Sequence, residues 1–162
     1  MNQIKAIAMD VDGVLTDGGV WWGPNGEEWK RFCFADIMGL SLARKAGIKL
    51  AFISGEDSPL VDRMAAKFPG TEVFKPCKDK RAALLQYIES HQLARENVCF
   101  IGDDVNDLGA LEVAGLACAP ADARPVVLAK CQLISSAKGG NGAVREIIDR
   151  ILTSQADAAA AR

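Results

Sequence analysis

Three times in this chain a short apolar run stops at a polar turn that carries reactive side chains. Ile4 to Met9 ends at Asp10-Val11-Asp12-Gly13, Lys49 to Ile53 ends at Ser54-Gly55, and Asn97 to Ile101 ends at Gly102-Asp103-Asp104. Runs of this length and apolarity read as strands buried on both faces. Leu116 to Ala119 and Gln132 to Ile134 are shorter candidates, and Glu72 to Phe74 is weaker. Helical stripes lie between them: Leu60, Val61, Met64, Ala65 and Phe68; then Leu84, Leu85 and Ile88; then Val144, Ile147, Ile148, Ile151 and Leu152. Strands alternating with helices predict an α/β fold, a doubly wound, Rossmann-like parallel sheet covered on both faces. Ligands of such folds gather beyond the carboxyl ends of the strands. Asp10, Ser54 and Asp103 all fall there.

One segment breaks the alternation. Val20-Trp21-Trp22 and Glu28 to Phe34 flank the turn residues Pro24-Asn25-Gly26, which predicts a β-hairpin flap over about residues 18–34. The whole reads as one domain over residues 1–153, followed by a flexible tail of Ala and polar residues over 154–162.

Composition removes several function classes. Nineteen basic against 21 acidic residues give a net charge of −2, so there is no basic footprint for nucleic acid and no polybasic membrane anchor. No apolar run approaches the roughly 20 residues of a membrane span, and the N-terminus shows no signal-peptide core. The single histidine, His91, argues against a His-rich zinc site or a Ser-His-Asp triad. Cys33, Cys77, Cys99, Cys118 and Cys131 contain no C-x-x-C pair and read as reduced thiols of a cytoplasmic protein.

The polar turns assemble a chemistry. Asp10 and Asp12 stand two apart at a strand end, with Asp103, Asp104 and Asp107 downstream. Like charges gathered this closely need a cation or a bound proton, and oxygen-only donors point to Mg²⁺. Ser54 supplies a hydroxyl and Lys80 a cation for anionic oxygens, which completes a set suited to phosphoryl transfer. Each residue alone has a plainer reading: Asp10, Ser54, Asp104 or Asp107 as a helix cap, Lys80 as a solvated lysine. Their joint occurrence, in order and at strand ends, favours the functional reading.

The order D-x-D, S-G, K, G-D-D-x-x-D resembles that of the haloacid dehalogenase superfamily of phosphatases, over nearly the whole chain. The resemblance implies that Asp10 is the nucleophile of an aspartyl-phosphate and that Asp12 is the general acid, then the base. It implies that Asp10, the backbone carbonyl of Asp12 and Asp103 hold Mg²⁺, with Ser54 and Lys80 on the phosphoryl oxygens. The intervals from Asp10 to Ser54 and from Gly55 to Lys80 leave no room for the cap domain of larger members. Val20, Trp21, Trp22, Trp29 and Phe32 instead suggest that the hairpin packs against other subunits, the alternative being packing on the chain's own core.

Asp10 to Gly19, Asp36, Gly39 and Gly139 to Glu146 are similar to one capless branch, the 3-deoxy-D-manno-octulosonate 8-phosphate phosphatases and their nonulosonate 9-phosphate relatives. This likeness implies a homotetramer acting on a phosphorylated 2-keto-3-deoxy sugar acid. Gly55 is followed by Glu56, where the octulosonate group typically has Arg. Glu56 with Lys67 resembles the nonulosonate type, so 2-keto-3-deoxy-D-glycero-D-galacto-nononate 9-phosphate is the first expectation and the octulosonate ester the second. Lys67 stands too far along its helix to share one ligand end with Glu56, unless a neighbouring subunit supplies it. The glycine loop before Arg145 offers amides to an anion, and Arg145 either meets a substrate carboxylate or pairs with an acidic neighbour. A broad phosphatase and a non-catalytic module are the other readings; the intact Asp10, Asp12, Ser54, Lys80 and Asp103 argue against the last.

Overall fold

A computed structural model describes residues 3–161. Six strands form one parallel sheet in the order β5-β4-β1-β6-β7-β8. They are β1 (Ala6–Met9), β4 (Lys49–Ile53), β5 (Glu72–Phe74), β6 (Val98–Ile101), β7 (Leu116–Ala119) and β8 (Leu133–Ile134). A separate two-stranded hairpin joins β2 (Trp21–Trp22) to β3 (Glu28–Trp29). The helices are α1 (Phe34–Lys45), α2 (Pro59–Ala65), α3 (Lys80–Ser90), α4 (Leu108–Val113), α5 (Pro125–Leu128) and α6 (Ala143–Ala160).

The period-two alternation of each strand divides the core in two. Ile7 and Met9 of β1, with Cys99 and Ile101 of β6, face a cluster closed by α1, α2 and α6. Ala6 and Ala8, with Val98 and Phe100, face the opposite cluster, closed by α3, α4 and α5. The α6 stripe behaves as its period predicts: Ile147, Ile148 and Ile151 are fully buried, each contributing roughly 1.5–3 kcal/mol of burial.

Helix α6 runs through Ala160, across the segment read from composition as a flexible tail. Alanine has the highest helix propensity of all residues, so an Ala-rich end prolongs a helix already anchored by packing. The hairpin is shorter than its sequence limits, since Phe34 already starts α1.

Strand β1 pairs with β4 on one side and β6 on the other. The chain leaves β1 between two strands whose connections run to opposite faces, which opens a crevice at their carboxyl ends. Asp10, Ser54 and Asp103 each follow one of these three adjacent strands.

Candidate active site

The first turn is built around Thr16 and Val11. The amides of Val14, Leu15 and Thr16 converge on the Val11 carbonyl, and Thr16 Oγ1 accepts from Gly13 and Gly18. Gly13 has φ of +83°, and any Cβ there would collide with the Asp103 carboxylate. Only glycine lets the first turn close on the third.

Asp10 sits at the floor, 5% exposed. Its Oδ1 accepts from the Val11 amide at 2.7 Å, and its Oδ2 lies 2.9 Å from Lys80 Nζ. The same ammonium donates to Asp107 Oδ1 at 2.8 Å. Asp107 is fully buried, and its Oδ2 accepts from the amides of Asp103 and Asp104. Asp107 therefore both caps the turn and anchors Lys80. Asp104 caps the 3-10 turn over Val105–Asp107 and pairs with Arg124.

Burial first, and then the charge of Asp107, pushes the Asp10 carboxyl up to about 7 against the opposing pull of Lys80. Asp103 is likewise raised to about 7 by burial and by Asp10, Asp107 and Asp104. Burial opposes the Lys80 charge, but Asp10 and Asp107 more than offset it and hold the ammonium protonated.

Ligand oxygens of Asp10, Asp103 and Asp107 all lie within 4.8 Å of one another. Asp103 Oδ1 is buried without a hydrogen-bond partner. Three hard oxygen donors, one lacking any protein partner, suit Mg²⁺. The Asp12 carboxylate is outside this group and faces Lys30 Nζ at 2.8 Å, leaving only its carbonyl as a candidate metal donor.

Above the floor lies a cleft of about 480 Å³. Its lining includes the carboxylates of Asp10, Asp12, Asp17, Glu56, Asp103, Asp104 and Asp122, with Arg124 the cation at its rim. Gly55 and Glu56 line it. Ser54 is buried behind them, its Oγ accepting from the Glu56 amide at 3.2 Å.

Two expected binding residues lie elsewhere. Lys67 is exposed and lines a separate hollow with Lys30, Phe32 and Arg63, so only a second copy can bring a Lys67 to this cleft. Arg145 takes the second of its two expected roles, pairing with an acidic neighbour. Its Nε donates to both carboxylate oxygens of Asp149, one helical turn on, and it does not line the cleft. The glycine loop before it is also not an open anion cradle. Its amides are consumed by Asp122 at Gly139, by the Val14 carbonyl at Gly140 and by buried Asp36 at Gly142. Gly139 and Gly140 pack so tightly under Gly13 and Thr16 that a side chain at either would strike backbone. The loop buttresses the turn that follows Asp10.

Comparison with known proteins agrees with this geometry. A profile of haloacid dehalogenase-like hydrolases matches residues 37–115. The 3-deoxy-D-manno-octulosonate 8-phosphate phosphatase of Escherichia coli strain K12 is 36% identical over 154 residues, covering 95% of this chain and 82% of that one. The chain belongs to the haloacid dehalogenase-like hydrolases. Solved relatives of this hydrolase share the whole fold. The octulosonate 8-phosphate phosphatase of Moraxella catarrhalis, crystallised with magnesium ion, phosphate ion and KDO, matches with a TM-score of 0.91 at 34% identity, over 98% of this chain and 94% of that one. The cobalt-bound enzyme of Haemophilus influenzae matches with a TM-score of 0.91 at 36% identity, over 95% and 90% of the two chains. This hydrolase is a phosphatase, and its cofactor is Mg²⁺.

Proposed function

We propose that this phosphatase hydrolyses the phosphate monoester of a 2-keto-3-deoxy sugar acid, with 3-deoxy-D-manno-octulosonate 8-phosphate as its substrate. The observation that carries the chemistry is Asp10, held between the Val11 amide and Lys80 at the floor of an open cleft that Asp12 also lines. The choice of ester is supported by relatives that are 36% identical over 95% of the chain. A second reading, the nonulosonate 9-phosphate, is favoured by Glu56 at the cleft wall, because a carboxylate is an acceptor for sugar hydroxyls.

In the reaction, a carboxylate oxygen of Asp10 attacks phosphorus while the bond to the sugar oxygen breaks. The carboxylic acid of Asp12 gives its proton to that departing oxygen. Asp12, now a carboxylate, takes a proton from water; the water oxygen attacks the acyl phosphate, freeing inorganic phosphate and Asp10. Lys80 opposes protonation of Asp10 and meets the phosphoryl oxygens, and Ser54 sits close behind to bond one of them. Asp10, Asp103 and the Asp12 carbonyl would hold Mg²⁺, with Asp107 at the same cluster. When bound, the ion would supply positive charge to offset that of Asp10 and the phosphoryl group.

The exposed hairpin supports assembly as a homotetramer. Trp21 is 61% and Trp22 77% exposed, an apolar surface that a free monomer would leave in water. Five free thiols, two of them fully buried, fit a reducing compartment such as the cytoplasm.

The test is steady-state kinetics with Mg²⁺ on both sugar acid phosphates, using wild type, Glu56→Arg and Asp10→Asn. The proposal expects a higher kcat/KM on the octulosonate ester and no turnover by Asp10→Asn. A preference for the nonulosonate ester that Glu56→Arg reverses would establish the second reading instead.

A further inference from the structure

We infer that Lys30, at the base of the hairpin, is the positioning residue of Asp12, so that the hairpin sets the aim of the proton donor. Lys30 follows strand β3 directly. Its side chain is only 4% exposed, although the hairpin around it is largely in water. Its Nζ lies 2.8 Å from Asp12 Oδ1 and 3.6 Å from Glu28 Oε1. Glu28 is held in turn: Ser58 Oγ donates to its Oε1 at 2.8 Å, and Trp22 Nε1 donates to its Oε2 at 3.3 Å. Ser58 is itself fixed as the cap of α2. A chain of polar contacts thus runs from α2 and the hairpin to the Asp12 carboxylate.

The electrostatics give this chain a purpose. The cleft is lined by acids, and Asp12 stands two residues from Asp10. Among the described residues Lys30 is the one cation in contact with Asp12. Without it, the Asp12 carboxylate has no partner to fix its rotamer and is repelled by its surroundings. A proton donor must come within about 3 Å of the departing oxygen. A misplacement of about 1 Å can cost a hundredfold in rate.

This inference rests on Asp12 as the acid of the proposed reaction, and the test separates the two. Protonation of the leaving oxygen matters for a sugar alkoxide and little for p-nitrophenolate, which departs readily. The parameter kcat/KM reports steps through phosphoryl transfer, before the intermediate common to both esters is hydrolysed. It is measured for wild type, Asp12→Asn, Lys30→Met, Lys30→Gln and Lys30→Arg on the octulosonate ester, on glycerol 3-phosphate as a plain alkyl ester, and on p-nitrophenyl phosphate. Thermal melts identify any variant that fails to fold, and Lys30→Gln, the milder change, then carries the test.

Lys30→Met and Lys30→Gln are expected to lose about 10- to 100-fold on the alkyl esters. Their loss on the aryl ester should be several-fold smaller, and Lys30→Arg should recover part of the difference. If Asp12→Asn shows that selective loss and the Lys30 variants do not, Lys30 has no positioning role. Equal losses on alkyl and aryl esters in the Lys30 variants would also overturn it, by placing Lys30 in phosphate binding or in folding. If Asp12→Asn itself is unselective, the acid assignment fails and the inference with it. Glycerol 3-phosphate keeps the test independent of which sugar acid is the substrate.

Discussion

Gly13→Ala tests whether the first and third turns are built around one ion. Two separate penalties apply. The first is conformational: Gly13 has φ of +83°, and a non-glycine residue in that region costs roughly 1–2 kcal/mol. The second is specific to the site. The new methyl would stand 2.6 Å from Asp103 Cγ and overlap its Oδ2. Carbon pairs settle at about 3.5–4.0 Å, so the carboxylate must retreat by about 1 Å. Oxygen ligands of Mg²⁺ tolerate only about ±0.2 Å around their bond length. The displacement therefore takes Asp103 out of coordination, and Mg²⁺ affinity should fall by at least about tenfold, the lower end of what even an outer-shell change costs.

Gly47→Ala is the control. Gly47 has φ of +80°, and a Cβ added there would meet nothing within 4 Å, so it carries the conformational penalty without the collision. Urea unfolding in EDTA should show a loss for both variants, larger for Gly13→Ala by the cost of displacing the Asp103 side chain. Calorimetric titration with Mg²⁺ should show weakened binding for Gly13→Ala alone. Equal Mg²⁺ affinity in wild type and Gly13→Ala would refute the argument, because Asp103 would then not be a ligand held by close packing.

Other outcomes follow from the same site. Asp10 and Asp103 are raised from 3.8 to about 7, so the folded chain keeps protons that the unfolded chain has released. Metal-free protein should lose stability as pH rises from about 4 to about 7, and Mg²⁺ affinity should rise through the same window, both readable by melts at stepped pH. In a cleft lined by seven carboxylates, inorganic phosphate alone should leave the melting temperature unchanged, and phosphate with Mg²⁺ should raise it beyond Mg²⁺ alone. Replacing Trp21 and Trp22 by Ser should lower the mass measured by sedimentation from a tetramer to smaller species; an unchanged mass would remove the hairpin from the interface.

The floor of the site is legible in the sequence because each of its parts follows an apolar run. Strand ends bring Asp10, Ser54 and Asp103 together whatever the rest of the chain does, and Lys80 opens the next helix. Asp107 is ambiguous for a physical reason: its spacing from Asp104 suits a cap, and burial beside Lys80 suits the cluster, and the structure shows it serving both. Arg145 carries a readable signal that points away from the cleft, since Asp149 stands one helical turn on. The glycine loop holds no such signal. The Gly140 and Gly142 amides are spent on Val14 and Asp36, more than a hundred residues earlier, and the α1–α6 packing makes the meeting with Asp36.

The Lys30–Asp12 pair is hidden for a further reason. Hairpin residues have no periodicity that reports which side chain turns back toward the sheet. The two strands are two residues each, and most of the large groups on them face water. A lysine in that setting reads as surface, yet here it is the least exposed side chain of its ion pair. The placement has a consequence for a phosphatase without a cap domain. This chain carries a flap that touches Asp12, the proposed proton donor, at its base and exposes tryptophans at its other face. Whatever packs on those tryptophans restrains Lys30, and so Asp12, through Trp22 and Glu28. In the proposed reaction, assembly and proton transfer are then linked by one hydrogen bond and two ion contacts, with no domain closure required.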